Sequence, residues 1–355
     1  MRVVYNSFQG RFSDNPRALY ERLRELPGTE HVWLLDPAHA ASFPLDVETV
    51  RIDGPGARAV LESADLVVAG THTEVEWRKP AGTRYLQTWH GTPLKRVHRD
   101  VLWAPPGRLD GLDRDIARWD VLLSPNPVST ARLRRAFGFE KEVWETGYPR
   151  NDLLLSPEAG QVREAVRRAL EVPEDATVVL YAPTWRDDEG YGESASIPMH
   201  VDLPALASRL GEGDRRHVVL ARAHNLVSGR LQAPLGPGVV DASWHRDIRE
   251  LYLAADVLVT DYSSVMFDFS LTGRPMVFFA YDLERYRDEL RGFYFDLLPV
   301  APGPVVADAD ALVEAVLRAE DDRERYAARY ARFRTTYGVL EDGRATQRVL
   351  ARLGL

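Results

Sequence analysis

The order of short apolar runs constrains this chain more than any other feature. Runs rich in Val, Leu and Ile alternate with helical stretches. They read VVYNSF, HVWLL, TVRI, DLVVAG, RYLQTW, DVLLS and VWETG, and then TVVLYAP, HVVLARA, GVVDA, DVLVT and PMVFFA. Continuous apolar strands separated by helices are typical of parallel sheets that are covered on both faces. The sequence therefore predicts an α/β fold with two doubly wound domains in succession.

The predicted boundary lies near residues 148–157, where a glycine and two prolines interrupt the pattern. We predict an N-terminal domain over residues 1–155 and a C-terminal domain over residues 156–334. A terminal helix at about 335–355 is expected to pack back on the first domain. The length of 355 residues is natural for two domains. Residues 187–198, DDEGYGESASIP, form the best candidate for a mobile loop.

Composition excludes several functional classes. The absence of cysteine excludes disulfides and thiolate metal sites, and the net charge of -8 argues against a nucleic-acid-binding protein. The start, MRVVYNSFQG, is not a signal peptide, and no run approaches the roughly 18 apolar residues that span a bilayer. We therefore expect a cytoplasmic protein, with peripheral contact to the inner face of the membrane as an open alternative.

The stretch LQTWHGTPLKRV places a histidine at the exit of an apolar strand. Gly91 permits a sharp turn, and Thr92 followed by proline is typical of a helix start. We predict a helix here, with its positive end beside His90 and with Lys95 one turn later, an arrangement that suits a phosphate. An imidazole next to an anion is a candidate general base. The simpler alternative is that His90 hydrogen-bonds a nearby carbonyl.

The stretch TDYSSVMFDF follows another predicted strand. Ser263 or Ser264 is expected to cap the next helix, with hydroxyls and backbone N–H groups available to phosphate oxygens. Asp261 and Asp268 are candidates for binding a ribose or orienting a cation. We predict that this helix ends at Gly273.

Two more strands of the second set end in polar residues. YAPTWRD carries Thr184 and Arg186, and HVVLARAHN carries Arg222 and His224. Alternation places Arg222 and His224 on one side of their strand, where they could neutralise a diphosphate. Ligands of parallel sheets bind beyond the carboxyl ends of the strands. Two sheets facing across a cleft would therefore bring all these motifs together.

Several signatures are missing from the chain. It has no GxxxxGK[ST] phosphate loop, no GxSxG elbow, no HExxH and no DxD pair of the sort that clamps a metal-bound nucleotide diphosphate. We therefore predict no metal site and no required cofactor, while leaving open an Mg²⁺ ion that arrives with a nucleotide.

Taken in order, QTWHGTPLKRV, GYPRNDLLL, YAPTWRD, RAHN and TDYSSVMFDFSLTGRPMVFFAYDLERYRDELRGFYFD closely resemble the CDP-glycerol glycerophosphotransferase family. That family includes teichoic acid primases and polymerases and related capsule polymerases. The opening, SFQGRFSDNPRALYERL, is also similar to the family pattern. The resemblance implies two Rossmann-like domains of the glycosyltransferase-B type. It also implies transfer of glycerol phosphate from CDP-glycerol to an acceptor hydroxyl, with release of CMP.

The resemblance also implies roles for individual residues. His90 and His224 match the two family histidines thought essential. The implied donor and phosphate site comprises Thr184, Arg186, Arg222, Asp261, Ser263, Ser264 and Asp268. An acceptor-side or charge-stabilising role is implied for Gly91, Thr92, Lys95, Arg150 and Asn151. A teichoic-acid-like or capsular acceptor follows, and a lipid-linked form of it is an expectation.

The mechanistic hypothesis has His90 take the acceptor proton while His224 and Arg222 assist the departure of CMP, although the two histidines could exchange roles. Three alternatives stay open: CDP-ribitol or another CDP-alcohol as donor, a sugar-nucleotide glycosyltransferase, and a catalytically inactive scaffold. The presence of both histidines argues against the scaffold.

Overall fold

The structure is a computed structural model of the chain. It describes residues 1–104, 107, 109–184, 186, 200–213, 215–222 and 235–355. His224 and the predicted loop at 187–198 lie outside the described residues.

The first sheet has seven parallel strands in the order β3-β2-β1-β4-β5-β6-β7. These strands are β1 Arg2–Asn6, β2 Glu30–Leu35, β3 Thr49–Arg51, β4 Leu66–Ala69, β5 Arg84–Gln87, β6 Val121–Ser124 and β7 Glu142–Glu145. All four residues of the central strand β4 are buried, as are all four of β6. This burial on both faces explains why the strands read as continuous apolar runs.

The second sheet has six described strands, also parallel, in the order β10-β9-β8-β11-β12-β13. They are β8 Thr177–Tyr181, β9 His217–Ala221, β10 Val239–Asp241, β11 Val257–Thr260, β12 Met276–Phe279 and β13 Val305–Val306. Each of the twelve predicted apolar runs overlaps one of the thirteen described strands. The exception, β13, has two residues and was missed because so short a pair carries no periodicity.

Helices cover the sheets. The described α-helices are α1 Asp14–Leu23, α2 Pro55–Glu62, α3 Asp110–Arg118, α4 Pro127–Phe137, α5 Ala159–Ala169, α6 Leu203–Leu210, α7 Ile248–Ala254, α8 Val265–Phe269, α9 Leu283–Arg285, α10 Ala309–Leu317, α11 Arg323–Tyr337 and α12 Ala345–Leu353. Short 3₁₀ turns occupy Pro37–Ser42, His98–Asp100, Pro149–Leu155 and Ser270–Thr272, and a π-helical turn occupies Tyr286–Leu290. Helix α4 shows how local sequence sets such bounds. Asn126 caps its start by accepting from the Ser129 N–H at 2.9 Å, and Gly138 ends it with φ +57°.

The chain passes from one sheet to the other through the 3₁₀ turn Pro149–Leu155 and then returns at its end. Val349 of α12 is fully buried in the core of the first sheet, with Val3 and Trp144. The carboxylate of Asp152, in the connecting turn, accepts from the N–H groups of Ala345 and Thr346, both at 2.8 Å. This carboxylate therefore fixes the start of α12 beside the connection between the sheets.

Within the described ranges, no helix combines the length and the apolar character that crossing a bilayer requires.

Candidate active site

A cavity of about 690 Å³ lies between the two sheets, a size typical of small-ligand sites. Its walls come from segments that follow the carboxyl ends of strands in both halves of the chain. Of the residues singled out from sequence, the lining includes His90, Gly91, Thr92, Lys95, Arg150, Thr184, Arg222, Ser263, Ser264 and Asp268. The structure therefore brings this group of residues, from motifs far apart in sequence, to one cavity.

The two most distinctive motifs touch each other. A Cβ atom added to Gly91 would lie 2.8 Å from the Oγ atom and 3.0 Å from the Cβ atom of Ser264. The distance of 2.8 Å is shorter than such atoms normally approach, so a larger residue at position 91 would force Ser264 or its backbone to shift. The glycine that the sequence suggested for a sharp bend thus also serves the contact between the two halves.

His90 is held with one ring nitrogen occupied. Its Nδ1 lies 2.7 Å from the Gly70 carbonyl oxygen, which can only accept, so Nδ1 carries the proton of the neutral ring. The ring packs between Trp89 and Phe8, with centroids 4.1 and 5.1 Å away. Burial lowers the pKa of His90, although the nearby Asp14 raises it in part. The neutral imidazole therefore has its lone pair on Nε2.

The backbone beside His90 is strained and supported. Trp89 has φ +52°, which is uncommon for a non-glycine residue and costs on the order of 1–3 kcal/mol. Its N–H donates to the Gln87 side chain at 2.9 Å, and its carbonyl accepts from Asn15 at 3.0 Å. These bonds hold the turn that carries the imidazole.

The predicted helix after Thr92 is wrong. The chain there has no helical turn before His98, and Lys95 forms an isolated antiparallel bridge with Phe293. The N–H of Tyr294 donates to the Leu94 carbonyl at 2.8 Å, and the Arg96 N–H donates to the Gly292 carbonyl at 2.9 Å. These distant backbone partners replace the helical bonds, so no helix dipole of this segment lies beside His90.

Arg150, for which the resemblance implies an acceptor-side or charge-stabilising role, lines the cavity and is paired with two carboxylates. It is 3% exposed and forms ion pairs with Asp14 at 2.8 Å and Asp268 at 2.7 Å. Asn151 donates to the other Asp268 oxygen at 3.1 Å. Burial alone would lower the pKa of Arg150, but the two carboxylates outweigh it and hold the pKa well above its ordinary value. Arg150 and Asp268 thus line the cavity and, together with Asn151, join the two halves of the chain. The Arg150 guanidinium also donates to the His90 carbonyl at 2.8 Å.

Arg186 and Asp261 form a second buried pair. The Arg186 guanidinium contacts Asp261 at 2.8 Å and Asp282 at 2.8 Å, and Asp261 also accepts from the Thr184 N–H at 2.8 Å. Thr184 lines the cavity, whereas Arg186 and Asp261 are not among its lining residues. The structure therefore places this pair behind the wall, where it supports the strand ends.

The serine motif begins a helix but does not cap it as predicted. Ser264 occupies the position before α8, yet its side chain forms no capping hydrogen bond, and α8 has only five residues. The Ser263 hydroxyl accepts from the Val265 N–H at 3.5 Å, a long contact. Both serines line the cavity. Helix α8 ends at Phe269, earlier than predicted, and the 3₁₀ turn that follows it ends at Gly273, where φ is +71°.

Sequence reasoning missed the loop after β1. Phe8, Arg11 and Asp14 line the cavity, and Asn15 holds the Trp89 carbonyl. The run SFQGRFSDNP contains the signal that could have located this loop, because a glycine followed by polar residues lies there between a strand and a helix. Among the described residues, no group of three or more His, Asp or Glu side chains is placed to hold a metal ion.

Comparison with known proteins decides the family. The profile of the family described as CDP-Glycerol:Poly(glycerophosphate) glycerophosphotransferase matches residues 1–354. The chain belongs to this family. The resemblance carried by the WHGTP and TDYSS motifs is thereby confirmed, and with it the class of transferase.

Two curated relatives and one solved structure show how far the likeness extends. The teichoic acid glycerol-phosphate transferase of Staphylococcus aureus is 38% identical over 98% of this chain and 91% of its own length. The teichoic acid poly(glycerol phosphate) polymerase of Bacillus subtilis is 37% identical over 98% of this chain, which spans only 48% of that polymerase. A solved structure of the wall teichoic acid polymerase TagF superposes with a TM-score of 0.86 at 33% identity, covering 98% of this chain and 87% of the chain in that structure.

Proposed function

We propose that this glycerophosphotransferase moves glycerol phosphate from CDP-glycerol to an acceptor hydroxyl and releases CMP. We further propose that it does so between two Rossmann-like domains of the glycosyltransferase-B type, residues 1–155 and 156–334, with the terminal helix packed on the first. Two parallel sheets with a cavity between them support that arrangement. The observation that carries the function is the imidazole of His90, neutral and fixed where the two family motifs meet.

The reaction is proposed as a direct displacement. The acceptor hydroxyl gives its proton to Nε2 of His90, and its oxygen attacks the β-phosphorus of CDP-glycerol. The bond from that phosphorus to the bridging oxygen breaks, and CMP leaves with that oxygen. Because Nδ1 is already hydrogen-bonded to the Gly70 carbonyl oxygen, the ring accepts the proton on Nε2 without changing its orientation.

The donor is proposed to lie against the second half of the chain. Thr184, Arg222, Ser263 and Ser264 line that wall. Positioning and charge neutralisation supply most of the catalysis in phosphoryl-type transfer. His224, outside the described residues, is proposed to assist the leaving group together with Arg222.

Partners and cofactors follow as proposals from the same site. The acceptor is proposed to be a teichoic-acid-like polyol phosphate, carried on a lipid at the inner face of the membrane. No metal is required in this scheme, and an Mg²⁺ ion would enter only with the nucleotide. An assay of CMP release with and without a chelator tests that point.

The first experiment is thermal unfolding of the purified protein with CDP-glycerol, CDP-ribitol, CMP or UDP-glucose. A ligand at about 100 times its dissociation constant stabilises the folded state by about 2.7 kcal/mol. We expect the largest shift with CDP-glycerol, followed by CMP release on addition of acceptor. A shift with CDP-ribitol alone would change the polyol, and a shift only with UDP-glucose would contradict the proposed reaction.

A further inference from the structure

The cavity receives a guanidinium from each of its two sides. Arg11 follows strand β1 of the first sheet, and Arg222 follows strand β9 of the second, and both line the cavity. We propose that Arg11 and Arg222 together form a phosphate-binding site that spans the cleft, with Arg11 as the contribution of the first half. This inference rests on the proposed function and adds a binding residue to it.

The backbone of the loop that carries Arg11 is held in one conformation by its surroundings. Phe8, Gln9 and Gly10 have consecutive φ values of +43°, +57° and +106°. A Cβ atom on Gly10 would lie 2.2 Å from the Asp36 nitrogen, and the Gly10 carbonyl accepts from that N–H at 3.0 Å. The Arg11 N–H donates to the Ser7 carbonyl at 2.7 Å. Backbone strain of this kind persists where the surroundings enforce it, and it is concentrated at binding sites.

Arg222 is anchored in a similar way from the other side. One terminal nitrogen donates to the carbonyls of Ala242, Ser243 and His245 at 2.8, 2.6 and 2.6 Å. Arg222 as a whole residue is 9% exposed. Because the guanidinium is planar, fixing one nitrogen also sets the directions of the others.

The two charges lie near each other in poorly solvated surroundings. Burial and, after it, the positive charge of Arg222 lower the pKa of Arg11 to about 10, and Asp36 opposes this only in part. Burial also lowers the pKa of Arg222. Both guanidinium groups line the cavity. A phosphate held between them would therefore contact positive charge from both halves of the chain.

A phosphate group suits this arrangement best. Its non-bridging oxygens accept paired hydrogen bonds from guanidinium groups, and its negative charge relieves the repulsion between them. The group could belong to the diphosphate of the donor or to a phosphodiester of the polyol-phosphate acceptor. Both sources present the same chemistry to the two arginines.

The test compares Arg11→Ala, Arg11→Gln and Arg11→Lys with the parent by calorimetric titration. The probes are inorganic pyrophosphate, CDP-glycerol and glycerophosphoglycerol, each at two salt concentrations. Arg246→Ala is the matched control, because Arg246 lines the same cavity while its guanidinium donates to the Ala41 carbonyl at 2.7 Å. Unfolding temperatures of all variants report whether the loop still folds.

We expect Arg11→Ala and Arg11→Gln to weaken pyrophosphate binding about tenfold or more, with a shallower salt dependence. Arg11→Lys should recover part of the loss, and Arg246→Ala should bind as the parent does. A parallel loss for CDP-glycerol identifies the donor diphosphate, and a loss for glycerophosphoglycerol alone identifies the acceptor. Parental affinity of both Arg11→Gln and Arg11→Ala for all three probes would overturn the proposal. A failure of the proposed function would give a different result from a failure of this proposal, because the parent protein would then bind CDP-glycerol without releasing CMP.

Discussion

His90 illustrates how one hydrogen bond determines the chemistry of a side chain. The sequence left two interpretations open, a general base or a ring bonded to a carbonyl. The structure shows the carbonyl bond, and this bond is what prepares the other nitrogen to act as the base. Arg150 and Arg186 differ from His90, because buried carboxylates neutralise their charges.

The proposed role of His90 predicts a selective loss of turnover. His90→Asn can keep a donor to the Gly70 carbonyl but removes the base, and His90→Ala removes both. Loss of a general base costs about 10²- to 10⁴-fold. We expect both variants to lose turnover in that range while CDP-glycerol affinity measured by titration changes little.

The pH profile provides the control for this prediction. Burial lowers the pKa of His90 from its ordinary value of 6.5, so the free enzyme keeps a neutral base at pH 6.5 and loses it only as the pH falls through the lowered value. We expect the acidic limb of kcat/KM below pH 6.5, and its disappearance from the residual activity of His90→Asn. Normal turnover in His90→Asn would rule out the catalytic role.

At the scale of elements, the strands were predictable and the segments between them were less so. A parallel strand that is buried on both faces consists of consecutive apolar residues, so it is visible in the sequence. The twelve apolar runs located twelve of the described strands. The segment after Gly91 has the local signature of a helix start, Thr followed by Pro. It forms no helix because backbone groups at residues 292–294, about 200 positions away, pair with it. Local signals cannot report such a partner.

The contact between the two turns predicts the effect of adding one methyl group. Gly91→Ala places a carbon 2.8 Å from the Ser264 hydroxyl, so the two motifs must separate. We expect a lower unfolding temperature and weaker CDP-glycerol binding. Because Ser264→Gly removes the obstructing atoms, Gly91→Ala should cost less stability in the Ser264→Gly background than in the parent. Equal costs in the two backgrounds would show that the contact is not tight.

At the scale of the whole molecule, the end of the chain ties the two halves together. Glu341 is buried near the connecting turn, where it accepts from the Tyr148 N–H at 3.0 Å and from Asn151 at 3.1 Å. Burial is the main reason that its pKa is raised from 4.5 to about 8, and the nearby Asp268 and Asp152 raise it as well. The junction of the halves therefore holds a carboxyl group that is protonated near neutral pH.

This raised pKa predicts how stability depends on pH. Between about pH 4.5 and 8 the folded state keeps a proton on Glu341 that the unfolded state releases. The stabilisation is therefore complete below pH 4.5 and is lost as the pH rises through about 8. We expect Glu341→Gln to flatten the dependence of the free energy of unfolding on pH over this window, measured by denaturant titration.

The control for this measurement is Glu140→Gln, which changes the same chemical group at an exposed position. It removes the same group away from the buried junction, so a flattened slope seen in Glu341→Gln and not in Glu140→Gln belongs to the buried site. An unchanged slope in Glu341→Gln would contradict the raised pKa.

The sequence by itself determined the α/β class, nearly all the described strands, and the positions of the WHGTP and TDYSS motifs at strand ends. It did so because strand periodicity and turn chemistry are local properties. It also carried the family, through motifs specific enough to be recognised. Only the tertiary structure decided which polar residues face the cavity. Arg11, Arg222 and His90 do, whereas Arg186 and Asp261 lie behind the wall. The charge of a side chain is local, but the partner that neutralises it comes from a distant part of the chain.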